Sequence, residues 1–277
     1  MSASDKAASA RPLRVCFVGW GAIARRVGEI LADRQLSGVE IAAVAVREAG
    51  RDRADLPATA RLIAGPEELA GLDIDMVVEA AGRPAVALWG EAALRYARSF
   101  VVSSTSAFCD DALLDSLLAT ARETGSRIIV PSGALGDLGA LAAASMLPID
   151  EVVHTIVKPP RAWQGTKAEE VIDLDTLAER SEFFVGSARE AADRFPQNAN
   201  VAVISALSGI GLDLTRVVLV ADPAATRNGH RVQASGAFGR LDMMLENEAL
   251  KTNPKSSEMT ALSLVRLIEN SVAPLVR

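Results

Sequence analysis

Residues 15–27, Val-Cys-Phe-Val-Gly-Trp-Gly-Ala-Ile-Ala-Arg-Arg-Val, pass from an apolar run through two glycines into helical spacing. A buried strand turning straight into a helix restricts the fold more than any other stretch of the chain. Gly19 permits the tight turn, Gly21 lets the backbone approach a ligand with no side chain between, and small Ala24 lets helix and strand pack closely. The first amides of that helix, at Ala22 and Ile23, and the positive end of its dipole then face an anion. The spacing predicts a dinucleotide pyrophosphate there. Glycine turns are common in isolation, so the sequence downstream of this one decides the reading.

Downstream, strands and helices alternate regularly. Strand patterns at 13–18, 40–46, 74–78, 100–103 and 127–130 are separated by helical patterns at 22–34, 84–98 and 110–123. Continuous apolar strands between helices predict an α/β fold, a doubly wound parallel Rossmann sheet buried on both faces. After Gly133 the pattern changes. Helical stretches at 138–145, 187–194 and 201–207 mix with alternating strands at 151–157, 216–221, 230–237 and 240–246, and a terminal helix spans 257–272. These predict a second α+β domain built on a more open sheet. The expected division is a flexible tail over 1–12, a dinucleotide-binding domain over 13–131 completed by 257–277, and a catalytic and dimerisation domain over 132–256.

With 277 residues, 49% of them hydrophobic, the chain can bury two cores. Its longest apolar runs are broken by Ser and Gly, short of the roughly 18 residues of a membrane span, and residues 1–12 lack the apolar centre of a signal peptide. The formal net charge of −6 disfavours nucleic acid or an anionic membrane as partner. Two cysteines make no disulfide framework and fit a reducing compartment, so a cytoplasmic protein is expected.

In a doubly wound sheet, ligands lie beyond the carboxyl ends of the strands. That selects the loops at 19–24, 47–48, 79–82, which holds Ala81, 103–106 and 132–136. The loop after the second strand chooses the nucleotide, since an acid there binds a ribose 2′-hydroxyl and an Arg a 2′-phosphate. Arg47 followed by Glu48 favours NADP and allows NAD, against the plainer reading of Arg47 as a solvated loop charge. The chain has two histidines. His154, inside an alternating strand, reads as a hydrogen-bonded structural imidazole. His230 follows Asn228-Gly229, a hairpin signal, and reads either as a surface residue beside a turn or as a group exchanging protons near neutrality. Cys109 as a nucleophile has no base or activating charge beside it in sequence. No His/Cys/Asp/Glu cluster has metal-ligand spacing, and no glycine loop ends in the Lys-Ser/Thr of a phosphate-transferring NTPase.

Five short motifs of the second half stand in order behind the glycine turn. They are Pro131-Ser-Gly-Ala-Leu-Gly; Thr155-Ile-Val-Lys-Pro-Pro with Gly165-Thr166; Phe195-Pro-Gln-Asn-Ala-Asn-Val-Ala; Asp222-Pro with Asn228-Gly-His230; and Asn253-Pro-Lys-Ser-Ser with Thr260-Ala. Together they resemble the L-aspartate dehydrogenase family, and the similarity runs from the first strand to the terminal helix. The resemblance implies NAD(P)-dependent oxidation of the amine carbon of L-aspartate to iminosuccinate, reversible as reductive amination, in a homodimer. It makes His230 the counterpart of the family's catalytic histidine, and Ala134 and Asn200 the counterparts of cofactor contacts. A dianionic substrate also requires cations and donors, for which Lys158 and Lys255, with Thr166 and Ser256, stand in the family-like motifs. The competing readings are a two-domain reductase acting on homoserine or a cyclic imine, and an NADP-sensing protein without turnover. One departure from the family pattern is Asp137-Leu138-Gly139-Ala140, whose acid either lines the substrate pocket, where it would repel a dicarboxylate, or caps the helix expected from Leu138.

Overall fold

Strand β1 (Leu13–Val18) lies between β2 (Val39–Ala45) and β4 (Met76–Glu79), parallel to both, with its last four residues buried. The structure is a computed structural model that describes residues 11–36, 38–47, 55–196 and 199–276, the side chains of Ala199, Pro254 and Lys255 apart. Most of the expected tail, and Glu48, lie outside the described residues. With β3 (Arg61–Ile63), β5 (Ser99–Val102) and β6 (Arg127–Ile129), the sheet runs β3-β2-β1-β4-β5-β6 with every pair parallel. Its order reverses between β1 and β4, and the crevice for a ligand opens at the carboxyl ends of those two strands.

Alternate residues of β1 serve opposite faces. Val15 and Phe17 pack with Ala24, Val27 and Leu31 of α1 (Ala22–Asp33). Cys16 and Val18 pack with the cluster that holds α2 (Arg83–Tyr96) and α3 (Asp111–Thr124). That second cluster continues through Phe108 into Ala191, Ala202 and Val203 of the second unit, so the two sheets share apolar cover.

The second unit carries α4 (Gly139–Ala144), β7 (Ile149–Lys158), β8 (Ser181–Ser187), α5 (Ala188–Arg194), α6 (Ala199–Ser208), β9 (Arg216–Ala221), β10 (Asn228–Gly236) and β11 (Gly239–Asn247). Its sheet order is β11-β10-β7-β9-β8, in which β7 and β9 are parallel and the other pairs antiparallel. Register sorts the side chains into rows. Leu245, His230, Ile156, Leu219 and Phe184 share the face toward the helices, while Met244, Arg231, Thr155, Val218 and Val185 share the other.

The sheet corrects two expectations from the sequence. Asn228-Gly229 is not a turn: both residues lie in β10, and the β10–β11 hairpin reverses between Gly236 and Gly239. His230 is therefore a strand residue, 4% exposed, and no surface group. Strands β3 and β8 are not anticipated by sequence pattern, and β8 shows why. A register shift between Glu182 and Phe184 turns both Phe183 and Phe184 inward, which erases the two-residue period that marks a strand.

A two-stranded ribbon, β12 (Ala249–Leu250) and β13 (Asn253–Ser257), leads back to the first sheet. There α7 (Glu258–Asn270) buries Ala261, Leu264, Val265 and Ile268 in the cluster of Val15, Phe17 and α1. Ion pairs Arg26–Glu258 at 2.7 Å and Arg34–Glu269 at 2.6 Å set its register along α1. As partly exposed pairs they fix position more than stability. No helix among the described residues is long and apolar enough to cross a membrane.

Candidate active site

The turn after β1 is built for a close approach. Gly19 has φ +91°, and a Cβ there would stand 2.7 Å from that of Ala81, so the loops after β1 and β4 touch only because this side chain is missing. Gly21 caps α1 with no side-chain hydrogen bond, and a Cβ added to it would meet nothing within 4 Å. The first backbone bond of α1 is from Arg25 to Gly21, which leaves the amides of Ala22, Ile23 and Ala24 directed out of the helix. Open space above Gly21 and unspent amides beneath it fit a pyrophosphate. Arg47, exposed, lines the groove on one side of this turn together with Gly19, Gly21 and Ala81.

Glu79, fully buried at the end of β4, holds the neighbouring loops. Its Oε1 accepts from the amides of Ala81 and Gly82 and from the hydroxyl of Ser104, and its Oε2 accepts from the amide of Ser104, all within 2.9 Å. Burial pushes this carboxyl up from its ordinary range while the four donors oppose that shift. Glu79 escapes a search for motifs, although an acid closing the apolar run Met-Val-Val is itself a signal, since a charge there must find partners.

On the other side of the turn lies a cleft of about 270 Å³ between the two sheets. Ile23, Ala134, Lys158, Asn200, His230 and Ser256 all line it, so residues up to 233 positions apart in sequence meet there. Ala134 sits in the helical turn Gly133–Leu135, whose position is fixed by buried Asn247 donating to the Ala134 carbonyl at 2.7 Å. Asn200 accepts at Oδ1 from the Ser106 amide at 3.0 Å, and its carbonyl accepts from Thr105 Oγ1 at 2.9 Å. These contacts tie α6 to the loop after β5 and set the orientation of its amide group, with the NH₂ available as donor. Lys158, the last residue of β7, places Nζ 5.2 Å from the centre of the Trp163 ring, and desolvation lowers it to about 8. It is the one charged side chain among the described residues lining the cleft. His230 is held well below its ordinary value, first by burial and then by His154 and Lys158, and is a neutral imidazole.

The sequence-predicted residues do not all converge. Thr166 does not line the cleft: its hydroxyl donates to the Trp163 carbonyl and accepts from the Ala168 amide, capping the turn Lys167–Glu170. The side chain of Lys255 lies outside the described residues. Asp137 is also away from the cleft, in a separate depression, where it accepts from the Gly139 amide at 2.8 Å and pairs with Arg266 at 3.1 Å. The helix begins at Gly139 and not at Leu138. Conversely, Ser103, Asn228 and Thr260 line the cleft: Ser103 belongs to the loop 103–106 that the sheet order selects, and Asn228 and Thr260 stand in the family-like motifs, but nothing in sequence singles them out within those segments. The Ser103 hydroxyl is buried with no partner among the described residues, which fits a place where a ligand supplies one.

Nucleotide-binding geometry on one sheet, with a neutral imidazole and a cation presented by the other, defines a two-domain NAD(P)-dependent dehydrogenase. Residues 19–131 match the family described as homoserine dehydrogenase, NAD binding domain, and residues 139–271 match aspartate dehydrogenase, C-terminal. The chain is 57% identical to the L-aspartate dehydrogenase of Brucella anthropi over 262 residues, 95% of this chain and 97% of that one. It belongs to the L-aspartate dehydrogenase family. The enzyme of that name from Serratia proteamaculans is 39% identical over 91% of this chain and 95% of its own. Among solved structures, aspartate dehydrogenase from Thermotoga maritima superposes with a TM-score of 0.76 at 25% identity, covering 96% of this chain and 99% of that one. An archaeal homoserine dehydrogenase in complex with NADPH shares the fold, at a TM-score of 0.58 and 14% identity.

Proposed function

We propose that the protein oxidises the amine carbon of L-aspartate to iminosuccinate, which hydrolyses to oxaloacetate and ammonia, and that the same groups serve reductive amination in reverse. The observation that carries this reading is a neutral, buried His230 in a cleft whose one charged lining side chain among the described residues is the cation Lys158. A dicarboxylate suits that cleft, and an amine proton needs that imidazole. In this reading residues 13–131 with α7 hold the nucleotide and 132–256 hold the substrate.

The nicotinamide, when bound, supplies the hydride acceptor. Gly19, Gly21 and the amides of Ala22 and Ile23 would hold its pyrophosphate, with Ala81 and Ala134 along the path, and the Asn200 amide would offer a donor in the cleft beside His230. Exposed Arg47 beside the groove suits a 2′-phosphate, which favours NADP with NAD accepted. Lys158 holds one substrate carboxylate by a charge-assisted contact, and Ser256, with Asn228 and Thr260, offers donors to the other. Lys255 stands one residue from Ser256 and is proposed as the second cation. His230 accepts the proton of the substrate amine, since hydride loss requires a neutral nitrogen. Burial and Lys158 keep the ring neutral before substrate arrives, and the incoming carboxylates restore its basicity. After releasing that proton, His230 takes another from the water that adds to the imine.

The open face of the second sheet, with Met244 at 68% and Val185 at 49% exposure, supports a homodimer. Free Cys16 and Cys109 support a reducing, cytoplasmic setting. The test of the function is reduced-nicotinamide absorbance with NADP or NAD and a panel of amino acids. L-Aspartate is expected to give signal; homoserine giving signal while aspartate gives none would overturn the reading. His230→Ala is expected to lower kcat by about 10²–10⁴ and leave cofactor binding nearly intact.

A further inference from the structure

The chain's two histidines touch each other, and nothing in hydride transfer requires that they should. Their ring centres lie 5.5 Å apart with planes at 54°, and they meet through nitrogen: His154 Nε2 stands 3.3 Å from His230 Nδ1. On the other side of its ring, His154 Nδ1 is 2.9 Å from Ser205 Oγ, and that hydroxyl has an acceptor in the Ala202 carbonyl, also at 2.9 Å. His154 and Ser205 are wholly buried and His230 nearly so, so their polar atoms must satisfy one another.

Proton counting then gives a direction. A serine hydroxyl has a single proton. Given to Ala202, it leaves Ser205 Oγ as acceptor and His154 Nδ1 as donor, which makes His154 Nε2 an acceptor and His230 Nδ1 a donor. The lone pair of His230 is then on Nε2, the nitrogen not spent on His154. We infer that Ser205 and His154 are positioning residues that fix the tautomer of His230, so that it meets the substrate as a proton acceptor. This rests on the reading of His230 as the base and adds what holds it in that state. Were the hydroxyl to turn toward His154, each bond would reverse and His230 would present Nε2–H, a donor; the helix carbonyl of Ala202 tips the choice. Lys158, which also acts on the ring, disfavours the imidazolium but leaves the choice of nitrogen to the hydrogen bonds.

Two histidines in the whole chain make the test direct. Long-range proton–nitrogen correlation spectra of the full-length protein with isotopically labelled histidine read which ring nitrogen carries the proton, and His230→Ala, with one ring left, assigns the signals. Both rings are expected as Nδ1–H tautomers above neutral pH. His230 observed as Nε2–H, or as a mixture, overturns the inference whatever its variants do. Ser205→Ala is expected to convert His230 to a mixture and to lower kcat about tenfold with NADP affinity retained; an unchanged His230 tautomer in this variant removes Ser205 from the arrangement. Full activity in His230→Ala would instead sink the proposed base, whereas an inactive His230→Ala beside a wrong tautomer sinks the arrangement alone.

Discussion

Lys158 reaches the cleft with an ammonium whose pKa burial has lowered to about 8, so its charge is present at neutral pH and lost soon above it. A dicarboxylate held through that charge is released as pH rises. For succinate, which has no amine to oxidise, the dissociation constant is expected to climb about tenfold per pH unit above about pH 8 and to stay level in Lys158→Met. Competitive inhibition measured across that range checks this, and a flat profile in the wild type would remove Lys158 from the carboxylate site. Residues such as Gly19 and Gly21 are legible in sequence because the backbone around them dictates what they do. His154 is legible as a hydrogen-bonded strand imidazole but its partners are not, since Ser205 and His230 lie 51 and 76 positions away and only strand register and a helix bring them to it. Thr166 misleads for the opposite reason: its oxygen accepts from an amide two residues on, and that local bond wins over a distant ligand, as it does at Asp137, where the local alternative read from sequence is the one the fold takes.

Among elements, the loops after β4 and β5 depend on each other through Glu79. Replacing it with Ala leaves the amides of Ala81, Gly82 and Ser104 without their acceptor, at about 1–3 kcal/mol for each that water cannot reach. Glu79→Ala is expected to lower the melting temperature and to weaken NAD(P) binding together, as read by calorimetry and cofactor titration. Loss of stability with cofactor affinity unchanged would separate the loops from the nucleotide. Long periodic elements are legible within a residue or two, with β9 at 216–221 coinciding and α1 one residue shorter than its pattern. The short ones are not. β3 has three residues, and the ribbon that carries Ser256 to the cleft is two strands of two and five residues, too brief for any period to be counted.

At the scale of the molecule, the second sheet sets Met244, Arg231, Thr155, Val218 and Val185 in one cross-strand row whose two ends, Met244 and Val185, are exposed. If that face joins two copies, Met244→Glu places two like charges against each other, and sedimentation is expected to show the dimer giving way to monomer. A wild-type monomer, or a dimer indifferent to this change, would move the interface elsewhere. The terminal helix α7 carries a different consequence, for biosynthesis. A ribosome delivers the first sheet well before Ala261, Leu264, Val265 and Ile268, so the unit begun first is completed only after the second has been made. Until α7 has been made, part of the apolar face at Val15, Phe17 and Val44 stays bare, and a nascent chain arrested before residue 258 is a natural client for chaperones.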